Sequence, residues 1–147
     1  MSVVPIKILN TSDLPLPDYA TDGSAGFDFR ASLLETVMIA PGERAMVPTG
    51  IHVALPQGYE LQVRARSGLA AKYGIGLVNG IGTIDSDYRG EIKVILINHG
   101  DKPFEINRGD RIAQGVVARY DKAVWDQVDT LDETGRNSGG FGSTGNQ

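Results

Sequence analysis

The residues best suited to chemistry lie near the end of the chain, in the segment RNSGGFGSTG at positions 136–145. Its four glycines leave many backbone N–H groups unobstructed, and one guanidinium, one aromatic ring and several hydroxyls accompany them. Together these groups can surround a polyphosphate attached to a flat base. Because glycine has a high ordering entropy and only one apolar side chain offers burial, we expect a tail that is mobile until a ligand binds.

A second candidate site begins at Arg66, at the end of a predicted strand. The sequence SGLAAKYG that follows predicts a short helix, with Ser67 as its N-cap and Gly74 as its stop. Backbone N–H groups, the positive end of the helix dipole, a hydroxyl and a guanidinium would then meet at one point, which suits a phosphate. An ordinary helix cap beside a surface arginine explains the same residues, and this segment alone does not decide between the two.

A third candidate site is the sequence NGIGTIDSDYRG, which starts at Asn79. Its first two glycines predict a hairpin, and the Asn79 amide can offer both a donor and an acceptor to the edge of a base. Asp85 and Asp87 share a face if the segment is extended, and a carboxylate there could take a proton from water. Turn formation is the alternative reason for aspartates in such a sequence.

Apolar residues alternate with a period of two along much of the chain, which predicts strands. These strands must therefore position the groups named above. The alternation is clear at residues 51–55 and 61–66, and residues 92–97 are apolar on both faces for much of their length. Turn sequences rich in glycine, proline and asparagine separate the runs. Many short strands at this spacing predict an all-β barrel or sandwich with one short helix.

Composition limits the class of protein. The 147 residues fit one domain, and the absence of cysteine excludes disulfides and thiolate chemistry. A formal charge of −4 argues against nucleic-acid binding, although a local arginine cluster can still hold a small anion. No apolar run is long enough for a membrane span and no signal peptide is evident, so we expect a cytoplasmic protein. We interpret the two histidines, His52 and His99, as structural or surface residues that form no metal site.

Five segments, in order, resemble the five signature motifs of the trimeric deoxyuridine triphosphatase (dUTPase) family. They are AGFDFRA at 25–31, RSGLA at 66–70, GTIDSDYRG at 82–90, GDRIAQ at 109–114 and RNSGGFGSTG at 136–145. The chain departs from the family pattern at four positions. The family more often has Tyr at Phe27, Pro at Ala65, a bulky apolar residue at Gly115 and Gly at Asn137, and none of these changes removes a chemical group to which the resemblance gives a role.

The resemblance implies a jelly-roll core at residues 1–132 and a flexible C-terminal arm at 133–147. It implies a homotrimer with active sites between subunits, which hydrolyses dUTP to dUMP and pyrophosphate with Mg²⁺. Such an enzyme lowers dUTP, keeps uracil out of DNA and supplies dUMP for thymidylate synthesis. No nucleic acid or membrane partner is expected.

The resemblance also implies roles for single residues. Asp85 resembles the general base that activates water, Tyr88 the ring that packs on deoxyribose and excludes a 2′-hydroxyl, and Asp28 the acid that orients Mg²⁺ through water. Further implied contacts are to uracil (Asn79, Gly82, Thr83, Ile84), to phosphate (Arg66, Ser67, Gly68, Gln114) and to the substrate at a less defined point (Lys93). Gln114 is counted among the catalytic residues with Asp85 and Arg136.

The tail gains a role from the same resemblance. Phe141 would stack on uracil, while Arg136, Ser143 and Thr144 close on the γ-phosphate, and Arg136 would act like an arginine finger. Gly142 is a further implied substrate contact. Three alternatives remain open: a dCTP deaminase-like enzyme, a non-catalytic nucleotide-binding regulatory module, and a structural jelly roll. The complete tail and the Asp85–Tyr88 segment argue against each of them.

Overall fold

The computed structural model describes residues 2–146, which form eleven antiparallel strands and one short helix. Met1, the first residue of the predicted core, and Gln147, the last residue of the predicted arm, lie outside the described residues. The elements in chain order are β1 (Lys7–Asn10), β2 (Phe27–Arg30), β3 (Val37–Ile39), β4 (Arg44–Pro48), β5 (Ile51–Ala54), β6 (Tyr59–Arg64), α1 (Ser67–Tyr73), β7 (Ile75–Leu77), β8 (Gly82–Ile84), β9 (Lys93–Asn98), β10 (Phe104–Ile106) and β11 (Arg111–Arg119).

Two main sheets form the body of the protein. One has the strand order β2-β11-β6-β8 and the other β4-β9-β7, while β1–β5 and β3–β10 form two-stranded pairs. Neighbouring strands are mostly distant in sequence, so the chain crosses repeatedly between sheets, as a jelly roll requires. The predicted all-β jelly roll with one short helix is confirmed.

The core lies between the sheets, and it follows the predicted alternation. On β6, Leu61 and Val63 are buried, and on β9, Val94 and Leu96 are buried. Ile95, on the other face of β9, is only half-buried. One cluster joins the inner faces of both sheets, and each large side chain in it stabilises the fold by about 1.5–3 kcal/mol relative to exposure (Phe29, Ile39, Leu61, Ile75, Ile92, Leu96, Ile106, Ile112).

The short helix begins at Ser67, so its cap lies one residue before the predicted one. Arg66 is the N-cap, with extended backbone angles (φ −91°, ψ 129°), and Ser67 is the first helical residue, so the prediction of Ser67 as N-cap is wrong. The strand continues extended to Arg66, whose side chain is tied elsewhere, and no side chain caps the helix. Gly74 ends the helix in the left-handed region (φ 70°), as predicted. Within the described residues no helix is long and apolar enough to span a membrane.

Around the third candidate site, the predicted hairpin is wrong and the turn alternative for the two aspartates is confirmed. The strands on either side of Gly80 do not form a hairpin, because β7 pairs with β9 and β8 pairs with β6. The chain therefore turns here from one sheet into the other. Asp85 and Asp87 do not share the face of an extended segment either, since the Tyr88 N–H donates to the Asp85 carbonyl oxygen at 3.2 Å and closes a turn.

The unusual Gly115 is explained by the rings of Phe27 and Phe29, whereas nothing in the structure explains Phe in place of Tyr at position 27. The rings of Phe27 and Phe29 meet edge to face, with centroids 5.4 Å apart. A Cβ atom at Gly115 would lie 2.6 Å from the Phe27 ring and 2.8 Å from the Phe29 ring. A bulky side chain at position 115 is therefore incompatible with this aromatic pair, which packs directly beneath the strand that carries Gln114.

The last strand ends well before the predicted boundary of the arm. β11 stops at Arg119, the Tyr120 N–H still donates to the Gly58 carbonyl oxygen at 3.1 Å, and every residue from 121 to 138 is exposed. Trp125, in this stretch, is 89% exposed. The division between 132 and 133 stays a prediction.

Candidate active site

Four side chains from three parts of the fold lie close together where β2, β11 and the start of α1 meet. We call Asp28, Arg66, Arg111 and Gln114 the arginine cluster. Asp28 on β2 is the direct register partner of Gln114 on β11. Arg66 follows β6, the other neighbour of β11, so both sheet pairings contribute to the cluster.

One carboxylate in the cluster holds two guanidinium groups. Arg66 Nε lies 3.0 Å from Asp28 Oδ1, and Arg111 Nη1 lies 3.3 Å from Asp28 Oδ2. Arg66 Nη1 also donates to the Arg111 carbonyl oxygen at 3.2 Å. Because two positive charges face one negative charge, the cluster keeps an excess positive charge that suits an anionic ligand.

A bulge in β11 is what brings Arg111 and Gln114 together. Residues three apart in a regular strand point to opposite faces. The register between β11 and β2 shifts between Arg111 and Ala113, which reverses this parity. Arg111 is a site residue that the sequence alone did not reveal, since its position in the GDRIAQ segment, three residues before Gln114, was the only signal.

Gln114 is held close to the backbone on both sides. Its Nε2 donates to the Ala65 carbonyl oxygen at 2.9 Å, directly before Arg66. A Cβ atom at Gly26 would lie 2.5 Å from Gln114 Oε1, so only glycine leaves room for this amide. Ser67 and Gly68 lie beside it, exposed at the start of the helix.

A separate open pocket of about 460 Å³ contains the predicted base. Its lining comes from β8, the following turn, β9 and β4 (Met46, Thr83, Ile84, Asp85, Tyr88, Glu91, Lys93, Ile95). We call residues 85–91 the Asp85 turn. Tyr88 is fixed within it, because its hydroxyl donates to the Glu91 carbonyl oxygen at 3.0 Å and its ring occupies the space that a Cβ at Gly90 would need.

Asn79 and Gly82 lie next to this pocket rather than in its lining. The Asn79 Nδ2 would be 3.3 Å from a Cβ atom at Gly82, so the amide covers this glycine. Gly82 itself is buried in β8 against Val63. The structure thus brings Thr83, Ile84 and the Asp85 turn together and places Asn79 at the adjoining end of β8.

The tail residues are not part of either group. Phe141 is fully exposed, and within residues 2–146 every hydrogen bond of the segment 133–146 stays inside that segment. Arg136 Nε, for example, donates to the Gly139 carbonyl oxygen at 2.7 Å. One chain therefore presents three separate sets of predicted site residues: the arginine cluster, the pocket of the Asp85 turn, and the tail.

The residues present suit a magnesium ion that is held mainly by the phosphate oxygens of a bound molecule and not by protein side chains. In the part of the chain that the structure describes, no group of three or more histidines and acids is arranged to hold a metal ion. Asp28, in the arginine cluster, is 22% exposed and already bonded to two arginines. Mg²⁺ keeps several waters and binds phosphate oxygens, so a carboxylate that contacts its waters is a sufficient protein partner.

Comparison with known proteins gives one consistent result. A family model described as dUTPase matches residues 12–145. A deoxyuridine 5′-triphosphate nucleotidohydrolase of Maricaulis maris is 58% identical over 150 residues, covering 99% of each chain. One of the same name from Finegoldia magna is 50% identical over 140 residues, covering 95% of this chain and 98% of that protein.

Solved structures agree on the fold. A dUTPase mutant of Staphylococcus bacteriophage 80alpha, determined with dUpNHpp, superposes with a TM-score of 0.86 at 24% identity, covering 96% of this chain and 98% of that one. A mutant dUTPase from phage phi11 of S. aureus, described with a structural Mg(II) ion, has a TM-score of 0.77 at 23% identity, with 86% and 98% coverage.

Proposed function

The chain belongs to the dUTPase family, and we propose that it hydrolyses dUTP with Asp85 as general base and the arginine cluster as the seat of the triphosphate. The reaction is established by the family and by relatives named for it. The observation that carries the proposed division of labour is the separation of a carboxylate pocket from a cationic cluster. Water activation and phosphate binding are thus assigned to different elements of the fold.

In the proposed chemical step, Asp85 takes a proton from water. The water oxygen forms a bond to phosphorus, and the bond between the α- and β-phosphates breaks, since the products are dUMP and pyrophosphate. Asp85 is exposed at the mouth of its pocket, where an incoming water can reach it. General base catalysis of this kind contributes about 10²–10⁴-fold in rate.

The arginine cluster would hold the phosphates. Arg66 is supported by its carboxylate partner and Arg111 is 49% exposed, so both guanidiniums can turn toward an anion. Gln114 fixes the backbone before Arg66, and Ser67 and Gly68 offer a hydroxyl and N–H groups beside it. Mg²⁺, when bound to the triphosphate, neutralises charge that develops on the oxygens, and Asp28 would contact its waters.

The pocket of the Asp85 turn would hold the nucleoside. Tyr88, fixed by its bond to Glu91, would pack on the deoxyribose and leave no room for a 2′-hydroxyl. Thr83 and Ile84, with Gly82 and Asn79 beside them, would read uracil through the end of β8. Lys93 shares the same lining and is a candidate for a further substrate contact. A fixed wall discriminates against a larger group because the site cannot expand to fit it.

The proposed homotrimer would bring the three sets of residues together. Val124, Trp125 and Leu131 are at least 84% exposed in one chain, more apolar surface than a free segment keeps in water. The same chain has an open groove of about 1020 Å³ with an apolar lining (Ile6, Ile8, Phe27, Phe29, Val53, Leu61, Val117). We propose that neighbouring subunits cover these surfaces and that the tail reaches a neighbour's site.

A product assay tests the proposed specificity. The protein is incubated with dUTP, dCTP, TTP and UTP in the presence of Mg²⁺, and the products are identified. We expect dUMP and pyrophosphate from dUTP alone at substantial rate. Release of ammonia from dCTP would instead support a deaminase, and binding without turnover would support a regulatory module. The expected cytoplasmic location stays a prediction.

A further inference from the structure

A histidine outside the five motifs braces the Asp85 turn. His52 lies on β5, and its Nδ1 is 2.9 Å from the carbonyl oxygen of Arg89. Because a carbonyl oxygen only accepts hydrogen bonds, Nδ1 must carry the proton and donate it. We propose that His52 is a positioning residue, whose bond to Arg89 sets the location of Asp85 and Tyr88 for hydrolysis. The inference rests on the proposed function, in which those two residues act on water and on the sugar.

Bonds inside the turn transmit this constraint. Arg89 Nη1 donates to the carbonyl oxygens of Ser86 at 2.7 Å and Tyr88 at 3.0 Å. The Tyr88 N–H in turn donates to the Asp85 carbonyl oxygen. The Arg89 side chain is thus bonded to the backbone on both sides of Asp87, while its carbonyl group is bonded to His52. His52 therefore binds the residue whose side chain forms two of the hydrogen bonds within the turn.

External support for the turn is sparse, which makes His52 important. Within residues 2–146, residues 85–91 form hydrogen bonds to groups outside the turn only with His52 and with Tyr120, whose hydroxyl is 3.5 Å from Ser86 Oγ. The second distance is at the limit for a hydrogen bond. His52 therefore provides the shorter of the two.

The strand that carries His52 cannot easily move. Its neighbours Ile51 and Val53 are buried, and the Ile51 carbonyl oxygen accepts from the Ile92 N–H at 2.8 Å, directly beyond the turn. β5 also pairs with β1, where Leu9 is the partner of His52. The hydrogen bond from His52 to Arg89 thus connects a well-supported strand to the Asp85 turn, so its loss should change the position of the turn.

The tautomer of His52 provides a test that does not depend on activity. The chain has two histidines, so ¹⁵N-labelled protein gives two imidazole signals, and His99→Asn assigns them. At a pH where both rings are neutral, we expect His52 to be protonated at Nδ1, whereas exposed imidazoles favour the Nε2 proton. A His52 signal of the Nε2–H form would overturn the proposal, because that form cannot donate to Arg89.

Kinetics with two variants test the positioning role itself. The amide nitrogen of Asn can replace Nδ1 as a donor, whereas Leu has a similar size and no donor. We expect His52→Leu to lower kcat/KM for dUTP about three- to tenfold, as expected for one neutral hydrogen bond, and to lower the preference for dUTP over UTP. His52→Asn should stay within about twofold of the original protein on both measures.

The controls separate a positioning role from a structural one. His99→Asn should match the original protein in kinetics and melting temperature, since His99 is exposed and outside the site. If His52→Leu lowers only the melting temperature and leaves kcat and the dUTP/UTP preference unchanged, the proposal is wrong. If His52→Leu does not fold, the tautomer and His52→Asn decide. A protein inactive on dUTP would refute the proposed function but leave the tautomer result standing.

Discussion

The Asp85 turn and the tail are both irregular, glycine-containing segments with proposed site residues, yet they are held very differently. The turn is crossed by short hydrogen bonds and tied to β5 through His52. The tail bonds only to itself among the described residues, and Phe141 contributes no burial. The residues proposed as base and sugar pocket are therefore held in place within one chain, whereas we expect the proposed closing groups of the tail to become ordered when a ligand or a neighbouring subunit binds them.

Removal of the tail gives the largest expected effect. A chain that ends at Gly135 should lose about 10³-fold or more in turnover, since it lacks the arginine that would face the γ-phosphate. Its melting temperature should stay nearly unchanged, because the tail makes no hydrogen bond to the core among the described residues. A chain that ends at Gly145 is the matched control. Normal hydrolysis by the shorter chain would reduce the tail to a solvated end.

Loss of the base in the preformed turn comes next. Asp85→Asn keeps the shape but not the proton acceptor, so turnover should fall at least ~10²-fold while binding of dUTP persists. Asp87→Asn is the matched control, since Asp87 belongs to the same turn but not to the pocket lining. Single-turnover rates and calorimetric affinities check both. If Asp87→Asn has the larger effect, the base is misassigned.

A mixing experiment tests whether turn and tail come from different subunits. Asp85→Asn chains and chains ending at Gly135 are each expected to be almost inactive, and they are refolded together in equal amounts. If subunits share sites, about a quarter of the sites should combine an intact turn with an intact tail, by random assortment in a closed oligomer. Recovery of dUTP hydrolysis measures this fraction. Absence of recovery, with mixed oligomers shown by native mass spectrometry, would place both segments in one chain.

A smaller change in selectivity is expected from Tyr88. Tyr88→Ala should let UTP compete better with dUTP, because the side chain that blocks a 2′-hydroxyl is gone. Tyr88→Phe keeps the ring and loses only the bond to Glu91, so its selectivity should change by about tenfold at most. The ratio of kcat/KM for the two nucleotides is the measurement. An unchanged ratio in Tyr88→Ala would remove Tyr88 as the discriminator.

The smallest expected effect is on thermal stability, and it is tested by replacing one glycine in the Asp85 turn and one in the tail. Gly90→Ala places a Cβ in the space of the partly exposed Tyr88 ring, so the ring must move and lose its bond to Glu91, at a cost of about 1 kcal/mol and a few degrees in melting temperature. Gly140→Ala meets no atom within 4 Å and should leave the melting temperature unchanged. Thermal unfolding of both variants provides the check. Equal destabilisation would mean that the tail is as firmly packed as the turn.

Much of this fold could be predicted from local patterns. Alternation in residues 61–66 predicted which side chains of β6 are buried, and Gly74 predicted the end of the helix, because each depends on a few adjacent residues. The five motif segments identified the family. The hairpin at Gly80 and the cap at Ser67 were wrong, since partner choice between sheets and the extended conformation of Arg66 depend on strands distant in sequence.

Local sequence patterns account for the all-β fold class and for the tail, which is too rich in glycine to pack alone. They also place an acid and a tyrosine in one short segment and the arginines elsewhere. Which of these side chains come into contact depends on how the strands pair. The bulge in β11 turns Arg111 toward Asp28, Gly115 leaves room for Phe27, and β5 brings His52 to Arg89. The residues in each of these contacts are separated by between 37 and 88 positions in the sequence. Local propensity carries no information about such pairings, because the register of a sheet is set by the whole folded core.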